Sequence, residues 1–366
     1  MGHFRKQMIT FLVSSRCDLE CEYCYVPKMG KLPPEHEAID LEFAISGMKD
    51  FFNQNSSRAI RFFGAGEPTT EFDLMKEIKD EAHKIAGKEL KVELQTNGYF
   101  SESIGDWIEK NVDVLWISCD GPPEIHDKQR PAKKKKPSSG IVLDNIKRFS
   151  KVKRMQTGIR ATISPENFII QKKLIEYFSE LGIKFVCAAP SYSSTANPDI
   201  EKPPIVEFAK HFVPAFYLAK NKGMFYNTHL IVNFDEKVNV YCRACIPCPH
   251  LTTDGFVSCC DWALFGDKYL PGVLQQCVYG VWDKKSKCIS YDADRIRVIQ
   301  KRNTKVLETG FCENCEILPH CAGGCIGKTM VVSGDLYLPS VDWCKATRYL
   351  AKHIPLRQGR FPCLHS

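Results

Sequence analysis

The sequence lacks the features of a membrane or secreted protein. No stretch approaches the roughly 18 consecutive apolar residues that cross a bilayer. The apolar run at residues 8–13 is too short for a signal peptide, and no small-residue cleavage site follows it. Internal repeats and low-complexity tracts are also absent. We therefore expect a cytoplasmic protein with no membrane partner.

A strong excess of charge of one sign is missing as well. The net charge of +7 and the isoelectric point near 8.5 are too weakly basic to indicate a nucleic-acid partner. A mild positive excess suits an anionic nucleotide or an acidic peptide instead. The lysine run at 133–136 is predicted to be solvated surface. The 366 residues, of which 44% are apolar, suffice for one large domain and a smaller one.

Cysteine is scarce in the middle of the chain and abundant towards both ends. Of the 18 cysteines, only Cys119 and Cys187 lie between residues 25 and 241. We expect these two to be small buried hydrophobic residues, as free cysteines often are. Since no secretion signal accompanies them, the clustered cysteines favour metal binding in a reducing cytoplasm over disulfides.

Short β-rich runs alternate with segments that carry apolar residues at helical spacing. Six strands are predicted, at residues 8–14, 59–63, 91–96, 114–118, 158–163 and 185–190. Helices are predicted at 40–52, with Asp40 as N-cap, and at 72–86, 101–111 and 171–181, and loops at 129–140 and 191–204. This order predicts an α/β fold with a parallel sheet, and six units are too few to close an eight-fold barrel. We expect a partial (β/α)6 TIM-like barrel with its functional residues at the C-terminal ends of the strands.

The first group of cysteines follows the first predicted strand directly. Cys17, Cys21 and Cys24 have the spacing Cys-x3-Cys-x2-Cys on one short loop. Three thiolates can occupy three corners of a zinc site or bind three irons of a cubane. A zinc site would need a fourth protein ligand nearby, and none follows. A 4Fe–4S cluster held by three cysteines leaves one iron open to a ligand, which is a catalytic arrangement.

This spacing resembles the hallmark of the radical S-adenosylmethionine (SAM) superfamily, whose open iron binds the amino and carboxylate groups of SAM. Segments after the next three strands strengthen the resemblance. They are Gly64-Ala65-Gly66-Glu67-Pro68, Gln95-Thr96-Asn97-Gly98 and Ser118-Cys119-Asp120-Gly121-Pro122 with His126, Asp127, Arg130 and Pro131 behind it. Ala65 departs from the family pattern, in which a glycine usually stands at that position.

The resemblance also implies roles for single residues. Tyr23 would pack near the adenine of SAM, and the segment with Gly64, Gly66 and Glu67 would offer backbone groups to its ammonium, since glycines permit close approach. Ser118 would reach the ribose or carboxylate of SAM. Position alone suggests Asn97 and Arg160 as further contacts, whereas Asp120 and Arg130 could equally be a pair that fixes a loop.

The C-terminal third contains a second cysteine pattern. Cys312-x2-Cys315-x5-Cys321-x3-Cys325 is followed by Cys344, and Cys260 stands at Gly-x4-Cys spacing after three closely spaced cysteines, Cys242, Cys245 and Cys248. Four-cysteine groups could also be zinc ribbons, because spacing alone does not reveal the metal. Residues 242–344 resemble a SPASM domain, however, and the upstream motif decides for iron.

In SPASM domains these cysteines hold two auxiliary 4Fe–4S clusters that pass electrons. The distal cluster would be bound by Cys312, Cys315, Cys321 and Cys344. The proximal cluster would be bound by Cys260, Cys325 and two of the three upstream cysteines. Cys242 and Cys248 are favoured, and Cys245 is the alternative. The remaining cysteines fit no ligand position and are expected to be structural or bystanders; they are Cys259, Cys277, Cys288 and Cys363.

Taken together, the resemblance implies a radical SAM barrel at residues 1–220, a connector at 221–239 and a SPASM domain at 240–366. Three 4Fe–4S clusters and SAM would be the cofactors, with a flavodoxin or ferredoxin as electron donor. SAM would be cleaved to a 5′-deoxyadenosyl radical, which removes a hydrogen atom from the substrate. Asp261, directly after Cys260, would accept the substrate's proton, as an aspartate does in sulfatase-maturing relatives; otherwise it would hydrogen-bond the loop around the cluster.

Two substrate classes remain open. The first hypothesis is a peptide- or protein-modifying oxidase that oxidises or cross-links side chains, as many SPASM enzymes do. The rival is an enzyme that tailors a small molecule such as a sugar or aminocyclitol, by epimerisation or dehydrogenation. A protein that only carries electrons is disfavoured, because the intact three-cysteine motif and its companion segments indicate SAM chemistry.

Overall fold

The computed structural model describes residues 7–26, 33–192, 200–266, 269–270 and 272–356. A parallel sheet of seven strands in chain order forms the frame of the molecule. Its strands are β1 Ile9–Leu12, β2 Ala59–Phe63, β3 Lys91–Thr96, β4 Val114–Ser118, β5 Gln156–Ile163, β6 Phe185–Pro190 and β7 Phe225–Asn227. β1 and β7 are not paired with each other. The sheet is therefore open along this line, as expected for a partial barrel.

Helices connect the successive strands. They are α1 Leu41–Gln54, α2 Phe72–Ala86, α3 Glu102–Asn111, α4 Pro123–Gln129, α5 Ser139–Phe149, α6 Gln171–Glu180 and α7 Ile205–Asn221. Asp40 caps α1 as predicted, since its carboxylate accepts the backbone N–H groups of Glu42 and Phe43. Among the described helices, none is both long and apolar enough to span a bilayer.

The cysteine-rich region continues the same sheet. Its strands are β8 His250–Leu251, β9 Phe256–Ser258, β10 Val278–Asp283 and β11 Cys288–Tyr291. β8 pairs in parallel with the free edge of β1, and β9 to β11 follow as antiparallel neighbours. The result is one sheet of eleven strands through both predicted domains.

The C-terminal helices carry the last cysteines. They are α8 Ala293–Gln300, α9 Thr304–Glu308, α10 Leu318–Cys321, α11 Ile326–Ser333 and α12 Val341–His353. α12 packs against α7 of the barrel. A single apolar cluster includes Phe11 of β1, Phe208 of α7, Leu251 of β8 and Met330 of α11, all fully buried. The barrel and the cysteine-rich region therefore share one core.

Most predicted elements agree with the structure. The strands at 59–63, 91–96, 114–118 and 185–190 and the helix at 72–86 have the predicted bounds. The lysines at 133–136 are exposed, as predicted. Within the predicted connector at 221–239, β7 adds a seventh strand next to β6. Part of the predicted loop at 191–204, residues 193–199, lies outside the described residues, as does Cys363.

Candidate functional site

A cavity of about 980 Å³ opens at the C-terminal ends of the parallel strands. This is the edge at which sites in such α/β folds lie. The loops after β1 to β6 and five residues from later in the chain line it. The lining includes Cys17, Cys21, Cys24, Gly64, Gly66, Glu67, Asn97, Ser118, Arg160, Tyr192, His229, Asp261, Trp262 and Lys328. The three-cysteine loop and the segments that resemble SAM-binding motifs therefore meet in one place.

The thiols of the first loop are set among hydrogen-bond donors. Arg130 Nη1 lies 3.8 Å from Cys21 Sγ, and Asn97 Nδ2 lies 3.9 Å from Cys17 Sγ. Burial raises the pKa of Cys17 to about 12 and that of Cys21 to about 11, so uncompensated thiolates would be unstable here. A metal cluster supplies the missing positive charge, and donors to sulfur stabilise a bound thiolate. The loop therefore fits a 4Fe–4S cluster.

Asp120 and Arg130 form the loop-fixing pair that the sequence left open. Arg130 Nε donates to Asp120 Oδ2 at 2.9 Å, and Asp120 Oδ1 accepts the backbone N–H of Thr162 at 2.8 Å. The hydroxyl of Tyr23 also donates to Asp120, and the guanidinium of Arg130 lies 5.2 Å from the Tyr23 ring centroid. Tyr23 thus lines the cavity in a fixed position, with its hydroxyl already engaged.

Gly66 and Glu67 join the cysteine loop to the sheet. A Cβ atom at Gly66 would lie 1.9 Å from the carbonyl oxygen of Arg16, so only glycine fits this approach of two backbones. The Glu67 side chain is buried and accepts four hydrogen bonds, from Thr69 N and Oγ1, Thr96 Oγ1 and Asn97 N. Burial raises its pKa to about 7. The Glu67 side chain therefore holds the ends of β2 and β3 together.

The other predicted SAM contacts also reach the cavity. Asn97 Nδ2 donates to Asp18 Oδ1 at 2.6 Å, and Asn97 Oδ1 accepts the backbone N–H of Tyr99 at 2.8 Å. Ser118 and Arg160 lie side by side at the register of β4 and β5. Arg160 Nη1 lies 3.4 Å from Cys187 Sγ, so Cys187 is buried, as expected, but contacts a charged side chain.

Asp261, the predicted proton acceptor, lies in the cavity wall. Arg61 Nη1 and Nη2 donate to Asp261 Oδ1 and Oδ2 at 2.7 and 3.1 Å, and His250 Nε2 lies 2.8 Å from Oδ1. Burial would raise the pKa of Asp261, but Arg61 and His250 hold it well below its usual range. Its side chain keeps 39% of its surface exposed. Asp261 is therefore an ionised carboxylate that still faces the cavity.

Arg61 is a site residue that sequence reasoning missed. It lies in the middle of β2, is 3% exposed, and forms a second ion pair with Glu93 Oε1 at 3.3 Å. The available signal was a charged residue inside the apolar strand Ala-Ile-Arg-Phe-Phe. A buried arginine needs carboxylate partners, but the sequence could not show that one of them is 200 residues away.

Lys328 was also missed. This residue of α11 lines the cavity, is 5% exposed, and lies 4.4 Å and 4.9 Å from the ring centroids of Trp343 and Tyr192. Burial lowers its pKa to about 8. Trp262 lies next to this group, with its ring 6.1 Å from that of Tyr192. Nothing in the sequence around Lys328 distinguishes it from an exposed lysine.

The predicted distal cysteines line one small hollow. Cys312, Cys315, Cys321 and Cys344 surround it together with Arg348, whose Nη2 lies 3.5 Å from Cys315 Sγ. Burial, followed by the nearby Cys344, Cys312 and Cys315, raises the pKa of Cys321 to about 12. Four mutually close thiols and a cationic donor fit a 4Fe–4S cluster.

The proximal group differs from the favoured assignment. Burial and then Cys245, Cys325 and Cys260 raise the pKa of Cys242, which places these four thiols together. The pKa of Cys248 is raised by burial, with Arg243 opposing and no thiol contributing. Its carbonyl faces His250 Nδ1 at 3.1 Å. The arrangement therefore favours Cys245, the alternative, over Cys248.

Two further cysteines lie near the proximal group. Cys259 and Cys277 are buried next to Cys260, and Cys277 Sγ lies 3.7 Å from Met330 Sδ. Cys288, in contrast, is exposed on β11. Across the described part of the chain, no three Cys, His, Asp or Glu side chains lie close enough to hold a single metal ion. A 4Fe–4S cube is larger than one ion, and its thiolate ligands stand correspondingly farther apart.

Comparisons with known proteins identify part of the chain. The family model described as the Radical SAM superfamily matches residues 11–178. The chain is 23% identical over 334 residues to the cysteine-type anaerobic sulfatase-maturating enzyme of Clostridium novyi (strain NT), covering 85% of each chain. It is 25% identical over 343 residues to the enzyme of the same name from Clostridium perfringens (strain ATCC 13124), covering 85% of this chain and 86% of that one.

A solved structure shows the same fold. It is the native anSMEcpe with bound AdoMet, which superimposes with a TM-score of 0.72 at 20% identity and covers 94% of this chain and 96% of that one. The likeness therefore extends through the cysteine-rich region, which is consistent with a SPASM domain. Residues 11–178 of this protein are a radical SAM domain, in a chain related to the anaerobic sulfatase-maturating enzymes.

Proposed function

We propose that the protein is an oxidoreductase that uses SAM to oxidise or cross-link a side chain of a peptide or protein. The observation that carries this proposal is that the three-cysteine loop and the ionised Asp261 face one cavity. The relatives' names support a protein substrate, since they describe sulfatase-maturating enzymes. A second solved structure of the same fold is described with bound AdoMet and a Cp18Cys peptide.

A radical SAM domain implies SAM and a 4Fe–4S cluster, which together supply a 5′-deoxyadenosyl radical that removes a hydrogen atom from the substrate. In this chain Cys17, Cys21 and Cys24 would hold the cluster, and Arg130 and Asn97 would donate to the sulfurs. The remaining predicted SAM contacts line the same cavity. They are Tyr23, the backbone around Gly64, Gly66 and Glu67, Asn97, Ser118 and Arg160.

After hydrogen-atom removal the substrate must lose one proton and one electron to complete a two-electron oxidation. Asp261 would accept the proton, because its carboxylate is ionised and reaches the cavity. The hydroxyl of Tyr25 donates to the carbonyl of Asp261 at 3.1 Å, and its ring stacks on Trp262. These contacts tie the segment that carries the base to the loop of the first cluster.

The electron would leave through two auxiliary 4Fe–4S clusters. The proximal cluster would be held by Cys242, Cys245, Cys260 and Cys325, and the distal one by Cys312, Cys315, Cys321 and Cys344. Since Asp261 follows Cys260 directly, proton and electron would leave the substrate on the same side of the cavity. A flavodoxin or ferredoxin would reduce the first cluster.

The proposal can be tested with anaerobically reconstituted protein, SAM, dithionite and a short peptide with one cysteine. We expect about twelve irons per chain, release of 5′-deoxyadenosine, and a peptide that has lost two hydrogens by mass spectrometry. A variant with Cys17, Cys21 and Cys24 all changed to Ala should retain the auxiliary clusters but release no deoxyadenosine. Deoxyadenosine without any modified peptide, but with turnover of a sugar or aminocyclitol, would support the rival small-molecule function.

A further inference from the structure

The ammonium group of Lys328 is the feature of the cavity that the proposed chemistry does not use. It is 5% exposed, and its Nζ has no hydrogen-bond acceptor among the described residues. The rings of Trp343 and Tyr192 face it at 4.4 and 4.9 Å. A lysine carries three N–H donors and no acceptor, so aromatic faces satisfy its charge only in part.

Burial of such a group is costly unless an acceptor completes its surroundings. Because Lys328 lines the cavity, the acceptor can come from a molecule that enters it. A compact ammonium is a point donor that suits a single negatively charged oxygen group.

The charges around Lys328 favour an anion over a neutral acceptor. Arg160 lines the same cavity and forms no ion pair with a described residue; its contact is the sulfur of Cys187. Burial and then Lys328 and Arg160 lower the pKa of His229, so both cations act on one region of the wall. With Arg160 at SAM, as proposed above, Lys328 can still attract the negative charge of a second molecule in this partly enclosed space.

The acidic side chains of the cavity wall do not supply that charge. Asp261 is bound by Arg61, and Glu67 accepts hydrogen bonds from Thr69, Thr96 and Asn97. Glu37 lies 3.7 Å from Arg16, and Glu20 is exposed. Among the described residues, then, no carboxylate is within ion-pair distance of Lys328, and the groups that favour its charge are the thiols of Cys325 and Cys187.

We infer that Lys328, enclosed by Trp343 and Tyr192, is a subsite for a carboxylate of the substrate, held close to the position where the side chain is oxidised. This inference rests on the proposed function and deepens it, because it makes the substrate a peptide that carries a carboxylate near the modified residue. Trp262 connects the subsite to the catalytic side, since its ring contacts both Tyr192 and Tyr25. Lys328 is a substrate-positioning residue in this assignment.

The test measures equilibrium binding of fluorescein-labelled peptides to the reconstituted, SAM-loaded holoenzyme by anisotropy. Each peptide has one cysteine, an amidated C-terminus and one aspartate, which is moved in turn through the positions on both sides of the cysteine. Its matched partner has asparagine at that position. A further peptide without aspartate but with a free C-terminus separates a terminal carboxylate from a side-chain one.

We expect at least one carboxylate-bearing peptide to bind about tenfold more tightly than its neutral partner, a difference of about 1.4 kcal/mol. Lys328→Met should abolish this preference, and Lys328→Arg should restore part of it. Lys352→Met, which removes an exposed lysine from α12, is the matched control and should retain the full preference. Iron content, SAM affinity and deoxyadenosine release without peptide should be unchanged in Lys328→Met.

Equal binding of every carboxylate peptide and its neutral partner by the wild-type enzyme would overturn the inference without any variant. A Lys328→Met enzyme that keeps the preference but binds SAM less tightly would place Lys328 at SAM instead. One that keeps the preference and shifts only the midpoint potential of the proximal cluster would make Lys328 a countercharge to that cluster. A Lys328-dependent preference in an enzyme that oxidises none of the peptides would retain the subsite and reject the proposed function.

Discussion

At the scale of single residues, Arg61 keeps Asp261 ionised and fixes its position. The guanidinium lies between two carboxylates, Asp261 and the buried Glu93. Removing the charge of Asp261 and removing that of Arg61 therefore have different consequences. Loss of the Asp261 charge leaves a neutral Arg61–Glu93 pair, whereas loss of the arginine removes the ion pair that each carboxylate forms with it.

For Asp261→Asn we expect a folded protein with its full iron content and normal release of deoxyadenosine. Deuterium should still move from labelled substrate into deoxyadenosine, because hydrogen-atom removal precedes proton loss. Formation of the oxidised product should fall about 100-fold or more, the usual effect of losing a positioned base. Near-normal product formation would make Asp261 a structural residue, and loss of the proximal cluster would assign it to holding that loop.

Arg61→Met should be far more harmful to stability. It leaves Glu93, which is 3% exposed, without its ion-pair partner, and breaking a buried pair in this way costs about 3–5 kcal/mol. We expect a clearly lower midpoint in urea unfolding than for Asp261→Asn, measured on both variants side by side. Equal midpoints would show that Glu93 finds another partner.

The residue scale also shows where sequence reasoning stops. Cys17, Cys21 and Cys24 could be assigned because their function depends on spacing along one loop, which the sequence displays. Arg61 and Lys328 could not, because their roles depend on partners that only the folded chain brings near them. The choice between Cys245 and Cys248 is open in the sequence for a related reason. Both spacings are permitted, and only the fold shows that Cys245 acts on the pKa of Cys242 while no thiol acts on that of Cys248.

At the scale of elements, the contact between the segment after β2 and the cysteine loop leaves no room for a side chain at residue 66. The backbone N–H of Gly66 donates to the carbonyl of Ser14 at 2.8 Å, and that of Glu67 donates to the carbonyl of Arg16 at 2.7 Å. This contact sets the position of Cys17 relative to the sheet. Any side chain at residue 66 must push the two backbones apart.

Gly66→Ala is therefore expected to displace the three-cysteine loop while the rest of the fold survives. The added Cβ meets backbone atoms of Ser15 and Arg16, which cannot move aside as a flexible side chain would. We expect loss of about four irons per chain and of SAM cleavage. Gly140→Ala is the control, because Gly140 is exposed on α5 with open space around it. Full cluster content in Gly66→Ala would contradict this account.

Elements with strong local signals were predicted well, and those stabilised by tertiary contacts were not. α2 and the apolar strands β2, β3, β4 and β6 carry their own periodicity and end at turn residues. β8 has only two residues and exists because it pairs with the edge of β1. α7 was not predicted, and Pro214 within it interrupts the helical signal.

At the scale of the whole molecule, the predicted domain boundary does not divide the core. A chain that ends after residue 239 would leave the edge of β1 unpaired and remove α12 from α7, where the hydroxyl of Tyr217 donates to the carbonyl of His353 at 2.7 Å. We expect this truncated chain to aggregate or to unfold without a cooperative transition. The full chain with Cys315→Ser and Cys321→Ser is the control, since it loses the distal cluster but keeps the sheet. Cooperative unfolding of the truncated chain would show that the barrel is an independent unit.

The pairing of β8 with β1 has a kinetic consequence. The loop of the first cluster follows β1, whereas Cys260 and Asp261 follow β9, which pairs with β8 and through β8 with β1. The separation of the two segments is set by two hydrogen-bonded ladders of one sheet and not by the docking of two mobile bodies. If the proposed proximal cluster is bound at Cys260, electron tunnelling between it and the first cluster should therefore be insensitive to solvent viscosity. Delivery of the first electron by an external donor, which must diffuse and collide, should slow as the viscosity rises.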